Sequence, residues 1–442
     1  MAGGVGAPRP RAQAQTSAQP RRRRHQAASL PIDVIAAIVA RSDPATLVRC
    51  AATCGDMRGR VADPGFRLRL RHADHRFVPS LLRGLLLGDR ESTYRNDDPL
   101  DMYLLDATAG SLRRAAESFA PGEDGEPLEL YMPLSAREGL VLVRDGDLHV
   151  CNLATGRFET LPPEPEFGGL CVLLVGDGED AGGGAVGRPF QVVKASLVLE
   201  EKHRRLVVQT FSSELGTWGP CTEIRTPQIH GRNLHGYSQA LRIRPLVAGG
   251  AVHWLCFTDT AAYVLKLRVR SAAAAPPRLA VTKLPERFPY NGGRFSNNGW
   301  WWWIRHLLVT MAPGGSPAVL VADKDKISAW TQSKHSARWN QQPQVVIECK
   351  AISRFLGNVV GEERERQHMR NWHSEQATNL VGFAERSGVV LIKLYDCFFW
   401  LDLQSKQIVS CFLDPSIRDK NVYCPYEMDI SNWVPSFSAA SL

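Results

Sequence analysis

From about Leu100 to the end of the chain, apolar residues come in runs of four to seven, split by Gly, Pro, Asp or Asn. Residues 139–143, 148–153, 206–211, 251–257, 263–269, 389–394 and 398–403 are rich in Val, Leu, Phe and Trp. Runs this short, bounded by turn formers, are strands. The segments also resemble one another. Val150 to Pro162 reads as a strand, an Asn-x-x-Thr-Gly turn and a second strand ending in Leu-Pro. Leu104 to Gly110, Thr210 to Trp218 and Leu401 to Val409 repeat the strand-turn-strand shape. Returns at intervals of roughly 45 to 60 residues are what a β-propeller blade needs, because each four-stranded blade leaves an apolar face that only the next can cover. The predicted architecture for residues 100–435 is a propeller of six to eight blades, with some other stacked β arrangement as the alternative. Gly249-Gly250 gives a hint of kelch-like repeats. Short helices are predicted near Leu112 to Phe119 and Ala351 to Leu356.

The segment before this body has a different period. Ser29 is a plausible N-cap and Pro31 sits in a first turn, where its missing N–H is harmless. Val34, Ile35, Ile38 and Val39 follow at helical spacing. Asp43-Pro44 and Asp63-Pro64 restart the pattern, the first ahead of Leu47, Val48, Cys50, Ala51, Cys54 and Met57. Three or four short helices result. A unit of this size lies near the lower limit for independent folding, and it carries more apolar face than short helices hide between themselves. Such a unit needs a neighbour or a partner to cover it.

Leu30-Pro31-Ile32-Asp33-Val34-Ile35, then Ile38-Val39, Leu47-Val48 and Cys54-Gly55-Asp56-Met57, resemble the F-box motif LPxDxLxxIL, a gap, L and a final VCKxW. Met57 stands where that family usually has Trp, and Thr53 where it has Val. The resemblance implies that residues 29–72 bind the adaptor of an SCF-type ubiquitin ligase, and through it a cullin. Leu30, Pro31, Ile35, Ile38, Leu47, Val48, Cys54 and Met57 would face the adaptor or hold the helices that do. The body resembles the F-box-associated β-rich regions of plant, especially grass, F-box proteins. The chain is then expected to be an α+β multi-domain protein: a basic tail (1–28), the helical domain (29–72), a connector (73–99), the propeller-like target-binding domain (100–435) and a flexible end (436–442). The function implied is that of a non-catalytic substrate receptor. The alternative is a lectin or enzyme built on the propeller, with a purely structural helical cap.

Composition narrows the partners. Of the formal net charge of +8, six units belong to the arginines of residues 1–28. A body carrying only +2 offers phosphate no broad cationic surface, so nucleic acid is not expected as a partner. The tail itself reads as disordered, as a nuclear-import patch at 21–25, or as a transit peptide. Of the ten cysteines, Cys151, Cys256, Cys397 and Cys411 fall inside apolar runs and none forms a CxxC pair, so reduced thiols in the cytoplasm or nucleus are expected. No apolar stretch is long enough to span a membrane.

Catalytic and phosphate-binding motifs are not found: there is no GxSxG, HExxH or GxxxxGK[ST]. No cofactor is expected. His368 and His373 have poor spacing for a shared metal, and Gly176 to Gly187 reads as a surface loop. His253-Trp254 reads as a packed pair in a strand. The run Trp300, Trp301, Trp302 and Trp303 either fills gaps between blades or forms an aromatic platform for a target. Gly382 to Gly388 reads as a turn, with Glu385 and Arg386 as candidate target contacts on a rim.

Overall fold

The computed structural model describes residues 3–4, 30–39, 44–63, 65–66, 77, 81–88, 102–107, 112–115, 132–176, 186–200, 203–232, 244–269, 277–289, 305–334, 336–360, 378–394, 397–413 and 422–428. The described strands form six antiparallel sheets in chain order. Blade 1 pairs Leu82–Gly88, Tyr103–Asp106 and Leu112–Arg114 with the last strand, Val422–Glu427, which takes the innermost place. Blades 2 to 6 follow over residues 132–160, 170–225, 246–283, 307–348 and 379–413. Their innermost strands are Met132–Arg137, Leu170–Val175, Leu246–Ala248, Leu307–Met311 and Asn379–Ala384.

Strand periodicity explains why the sheets form a ring. In Leu82–Gly88, Leu85 and Leu87 pack against Val389, Leu391, Phe398 and Trp400 of blade 6. Leu86, on the opposite side of the pleat, packs against Val141 and Val143 of blade 2. The same alternation recurs at every junction, so each neighbouring pair of blades shares one apolar cluster: 2 with 3, 3 with 4, 4 with 5 and 5 with 6. Val422–Glu427 closes the circle by pairing antiparallel with Leu82–Gly88, joining the two ends of the domain.

The repeated turns have one geometry. In blade 2, Asn152 accepts backbone bonds from Thr155 and Gly156, while its Oδ1 accepts from the Ala154 N–H at 3.1 Å. Gly156 has φ +69°, a left-handed value that suits glycine. Ser212 to Gly216 and Ala384 to Gly388 close with the same five-residue bond.

Two sequence expectations are corrected by this arrangement. Leu112–Arg114 is the outermost strand of blade 1 where a helix was expected, because a short apolar run carries either period. Leu82–Gly88, inside the stretch read as a connector, is a buried strand whose continuous Leu run shows no alternation. Phe77 in the same stretch seats on blade 6, with its ring edge-on to Phe383 at 6.1 Å. The helix expected at 351–356 is present as Cys349–Val360, with Ile352 buried against blades 5 and 6.

The described residues between 30 and 62 include three helices, α1 (Ile32–Val39), α2 (Pro44–Thr53) and α3 (Gly55–Ala62). They share a small core in which the described residues are Ala36, Val39, Leu47, Ala51, Met57, Val61 and Phe66, with none from the propeller among them. Arg60 pairs with Asp33 at 2.8 Å across α3 and α1. Both partners are largely exposed, so the pair contributes little. No helix among the described residues is long and apolar enough to cross a membrane.

Candidate functional site

The first candidate surface is α1. Leu30, Val34 and Ile38 recur at four-residue spacing and are 56%, 43% and 51% exposed. Val34 and Ile38 lie on one side of the helix and Leu30 just ahead of it, while Ala36 and Val39 on the other side fill the core. Pro31 is also exposed, and Ile35 and Cys54 are half-buried. Leu47 and Met57 are 1% and 2% exposed, which puts them in the module's own core, where they hold the helices together. Met57 fills that interior position with a flexible apolar side chain. The side chain of Val48 lies outside the described residues, as do Trp300, Trp301, Trp302 and Trp303.

The second candidate is the centre of the ring. All six innermost strands line one cavity of about 60 Å³, through Leu134 to Arg137, Leu173, Arg244 to Val247, Leu308 and Val309, Phe383 and Glu385, and Cys424, Pro425 and Glu427. Three glutamates and three arginines knit the blades around it. Arg137 of blade 2 reaches across to pair with Glu385 of blade 6 and donates to the Val247 carbonyl of blade 4 at 2.9 Å. Glu385 in turn accepts from the Val247 N–H at 2.7 Å. Glu138 binds Arg188 of blade 3 at 3.0 Å and Arg386 of blade 6 at 3.1 Å. Glu427, on the closing strand, accepts from the Ser387 N–H and hydroxyl at 2.6 Å each and from the Arg386 N–H at 3.1 Å.

This network is electrostatically tight. Burial pushes the Glu385 carboxyl up to about 6, against the pull of Arg137 and the Val247 N–H. Burial acts the same way on Glu138, but Arg386, Arg137 and Arg188 outweigh it and hold this carboxyl below its ordinary value. Glu138 also sits at φ +49° beside Gly139 at φ +84°, the two-residue hairpin geometry that usually selects Asn-Gly. Its two arginine partners supply the reason for a glutamate in that conformation. Glu385 and Arg386, expected on a rim, are thus part of the ring's internal clasp, with side chains 21% and 35% exposed.

The thiols of Cys151 and Cys256 are pushed up to about 12 by burial, which leaves them without nucleophilic character. His253 is 2% exposed. Burial, then Lys266 and Arg268, lower its pKa to about 4, so it is a neutral strand residue beside the buried Trp254.

Arg137, Glu138, Arg188, Arg244 and Glu427 were not singled out from sequence. A signal does exist: Ala136-Arg-Glu-Gly139 and Ala384-Glu-Arg-Ser-Gly388 both place an opposite-charge pair at the end of an innermost strand.

A family model described as "Domain of unknown function (DUF7595)" matches residues 107–435. No curated protein matches the chain. Among solved structures it is similar to a nidogen/laminin complex, at 9% identity over 77% of this chain and 97% of that one, with a TM-score of 0.37. It is also similar to TolB from Acinetobacter baumannii (6% identity, 77% of this chain and 65% of that one, TM-score 0.39). A third is apo AztD from Citrobacter koseri (12%, 78% and 84%, TM-score 0.32). These likenesses are coarse, and the six-blade arrangement rests on the strand pairing of the chain itself.

Proposed function

The chain belongs to the DUF7595 family, and we propose that it is a non-catalytic receptor whose helical module docks on the adaptor of an SCF-type ubiquitin ligase while its propeller holds a target. The exposed stripe of Leu30, Val34 and Ile38 carries this reading. A module of about 40 residues has little core to spare, and these three side chains lie outside it. A protein surface laid along α1 would take them out of water, in the manner of a helix seated in a groove. The F-box resemblance of the same residues names the partner. Catalysis then consists of proximity, the receptor raising the effective concentration of target lysines near the charged enzyme.

The alternative, a propeller-based enzyme or lectin, would need free carboxylates at the channel. The oxygens of Glu138, Glu385 and Glu427 are taken up by arginines, backbone N–H groups and Ser387, which favours the receptor.

The test is co-purification of the full chain with recombinant SCF adaptor. Leu30→Asp with Ile38→Asp is expected to abolish capture. Val409→Asp, a charge placed at an exposed valine in blade 6 (55% exposed), should leave it intact. Wild-type protein that fails to capture the adaptor, or equal capture by the double variant, refutes the assignment.

A further inference from the structure

Among the described residues, one cation at the centre of the ring is left over from the clasp. Arg137, Arg188 and Arg386 are matched by Glu138, Glu385 and Glu427. Arg244, just before the innermost strand of blade 4, lines the same cavity and rests against the Cys424 thiol. Among the described residues no carboxylate lies within ion-pair distance of it. Its burial is intermediate.

We propose that the central channel is a carboxylate-binding site, in which Arg244 forms a fork-to-fork ion pair with a ligand carboxylate. The planar guanidinium presents paired N–H donors that match the two oxygens of a carboxylate. Leu134, Leu246, Val247, Leu308, Val309 and Phe383 form the apolar part of the wall, and the charges of Arg137, Glu385 and Glu427, which also line it, are engaged in the clasp. Such a wall suits a singly charged group on a short aliphatic stem. It disfavours a dianion such as phosphate, whose desolvation one arginine does not offset. A cavity of about 60 Å³ holds the carboxylate and one or two carbons, so a larger ligand would insert only its acidic tip. That tip can come from a small organic acid or from an Asp, Glu or C-terminal carboxylate of a peptide. The site is independent of the helical module and stands or falls apart from adaptor binding.

The test uses methyl-labelled full-length protein titrated with sodium propionate, with sodium chloride matching the ionic strength. A second arm uses the blocked peptide acetyl-Gly-Gly-Asp-amide and its Asn counterpart. Propionate is expected to shift the methyls of Leu246, Val247, Leu308 and Val309 saturably, with a dissociation constant on the order of millimolar. Arg244→Met should weaken binding about tenfold or more, and Arg244→Lys should retain part of it. Arg338→Met, an exposed arginine on blade 5, should change nothing. Tighter binding of the Asp peptide than of propionate, with no binding of the Asn peptide, assigns the carboxylate to a protein ligand. Binding of propionate alone assigns it to a small acid. Absence of saturable shifts with either probe, or equal binding by Arg244→Met, overturns the proposal. If Arg244→Met fails to fold, the wild-type methyl shifts and Arg244→Lys still decide. Unchanged propionate binding in Leu30→Asp with Ile38→Asp is expected, and its loss would also count against a self-contained site.

Discussion

The pair formed by Arg137 and Glu385 spans the channel between blades 2 and 6 and clamps Val247 of blade 4 from both sides. Arg137→Met keeps most of the side-chain volume and removes the charge, leaving a buried carboxylate facing apolar strands. Breaking a buried pair from one side costs about 3–5 kcal/mol. With side chains 18% and 21% exposed, the lower end applies, so about 3 kcal/mol is expected for Arg137→Met and for Glu385→Leu alike. The double variant carries no unpaired charge, and its remaining cost is the loss of a partner for the Val247 N–H and carbonyl, about 2–3 kcal/mol. Simple addition would give about 6 kcal/mol, so the coupling is about 3 kcal/mol in favour of the pair. Urea unfolding followed by tryptophan fluorescence is the assay, because every tryptophan lies beyond residue 200 and the signal therefore reports the propeller. Charge has a second signature. Without Arg137, Glu385 loses a group that lowers its pKa and climbs further above 6. A carboxyl whose folded pKa is raised stabilises below that value and loses the contribution as pH rises through it. Arg137→Met should therefore be more destabilised at pH 8 than at pH 5.5. Additive single-variant effects, or no pH dependence in Arg137→Met, would refute the ion-pair account.

His253 supplies the opposite pH dependence. Its folded pKa of about 4 lies below the ordinary histidine value of 6.5, so the unfolded chain binds the proton first. The contribution is present above pH 6.5 and lost as pH falls towards 4, about 2 kcal/mol between pH 7 and 5. His253→Gln should flatten that part of the urea-midpoint profile, and an unchanged profile would count against it. At Gly84 an added Cβ would stand 2.0 Å from the Leu105 carbonyl oxygen on the neighbouring strand. Gly84→Ala should therefore cost about 2–3 kcal/mol, visible as a lower urea midpoint. Met57→Ala should remove about 2–5 kcal/mol from the small module, because its side chain is buried among Leu47, Ala51, Val61 and Phe66. Limited proteolysis should then cut within residues 30–66 while the propeller's fluorescence transition stays in place.

Sequence alone determined the local levels of this protein. Short apolar runs marked strands, Asn152 to Gly156 marked a turn, and Val34, Ile35, Ile38 and Val39 marked an amphipathic helix, because each is set by neighbours within a few residues. Blade number, the closing strand and the channel were decided only in three dimensions. Val422–Glu427 reads like any other strand, and its place beside Leu82–Gly88 follows from the two ends of the ring meeting. Glu385, Arg386 and Arg137 adjoin turns in the chain, where charges are ordinarily solvated, so sequence put the first two on a rim and left the third unremarked. The ring brings residues 248 positions apart into contact at its axis, and there burial turns loop charges into a clasp.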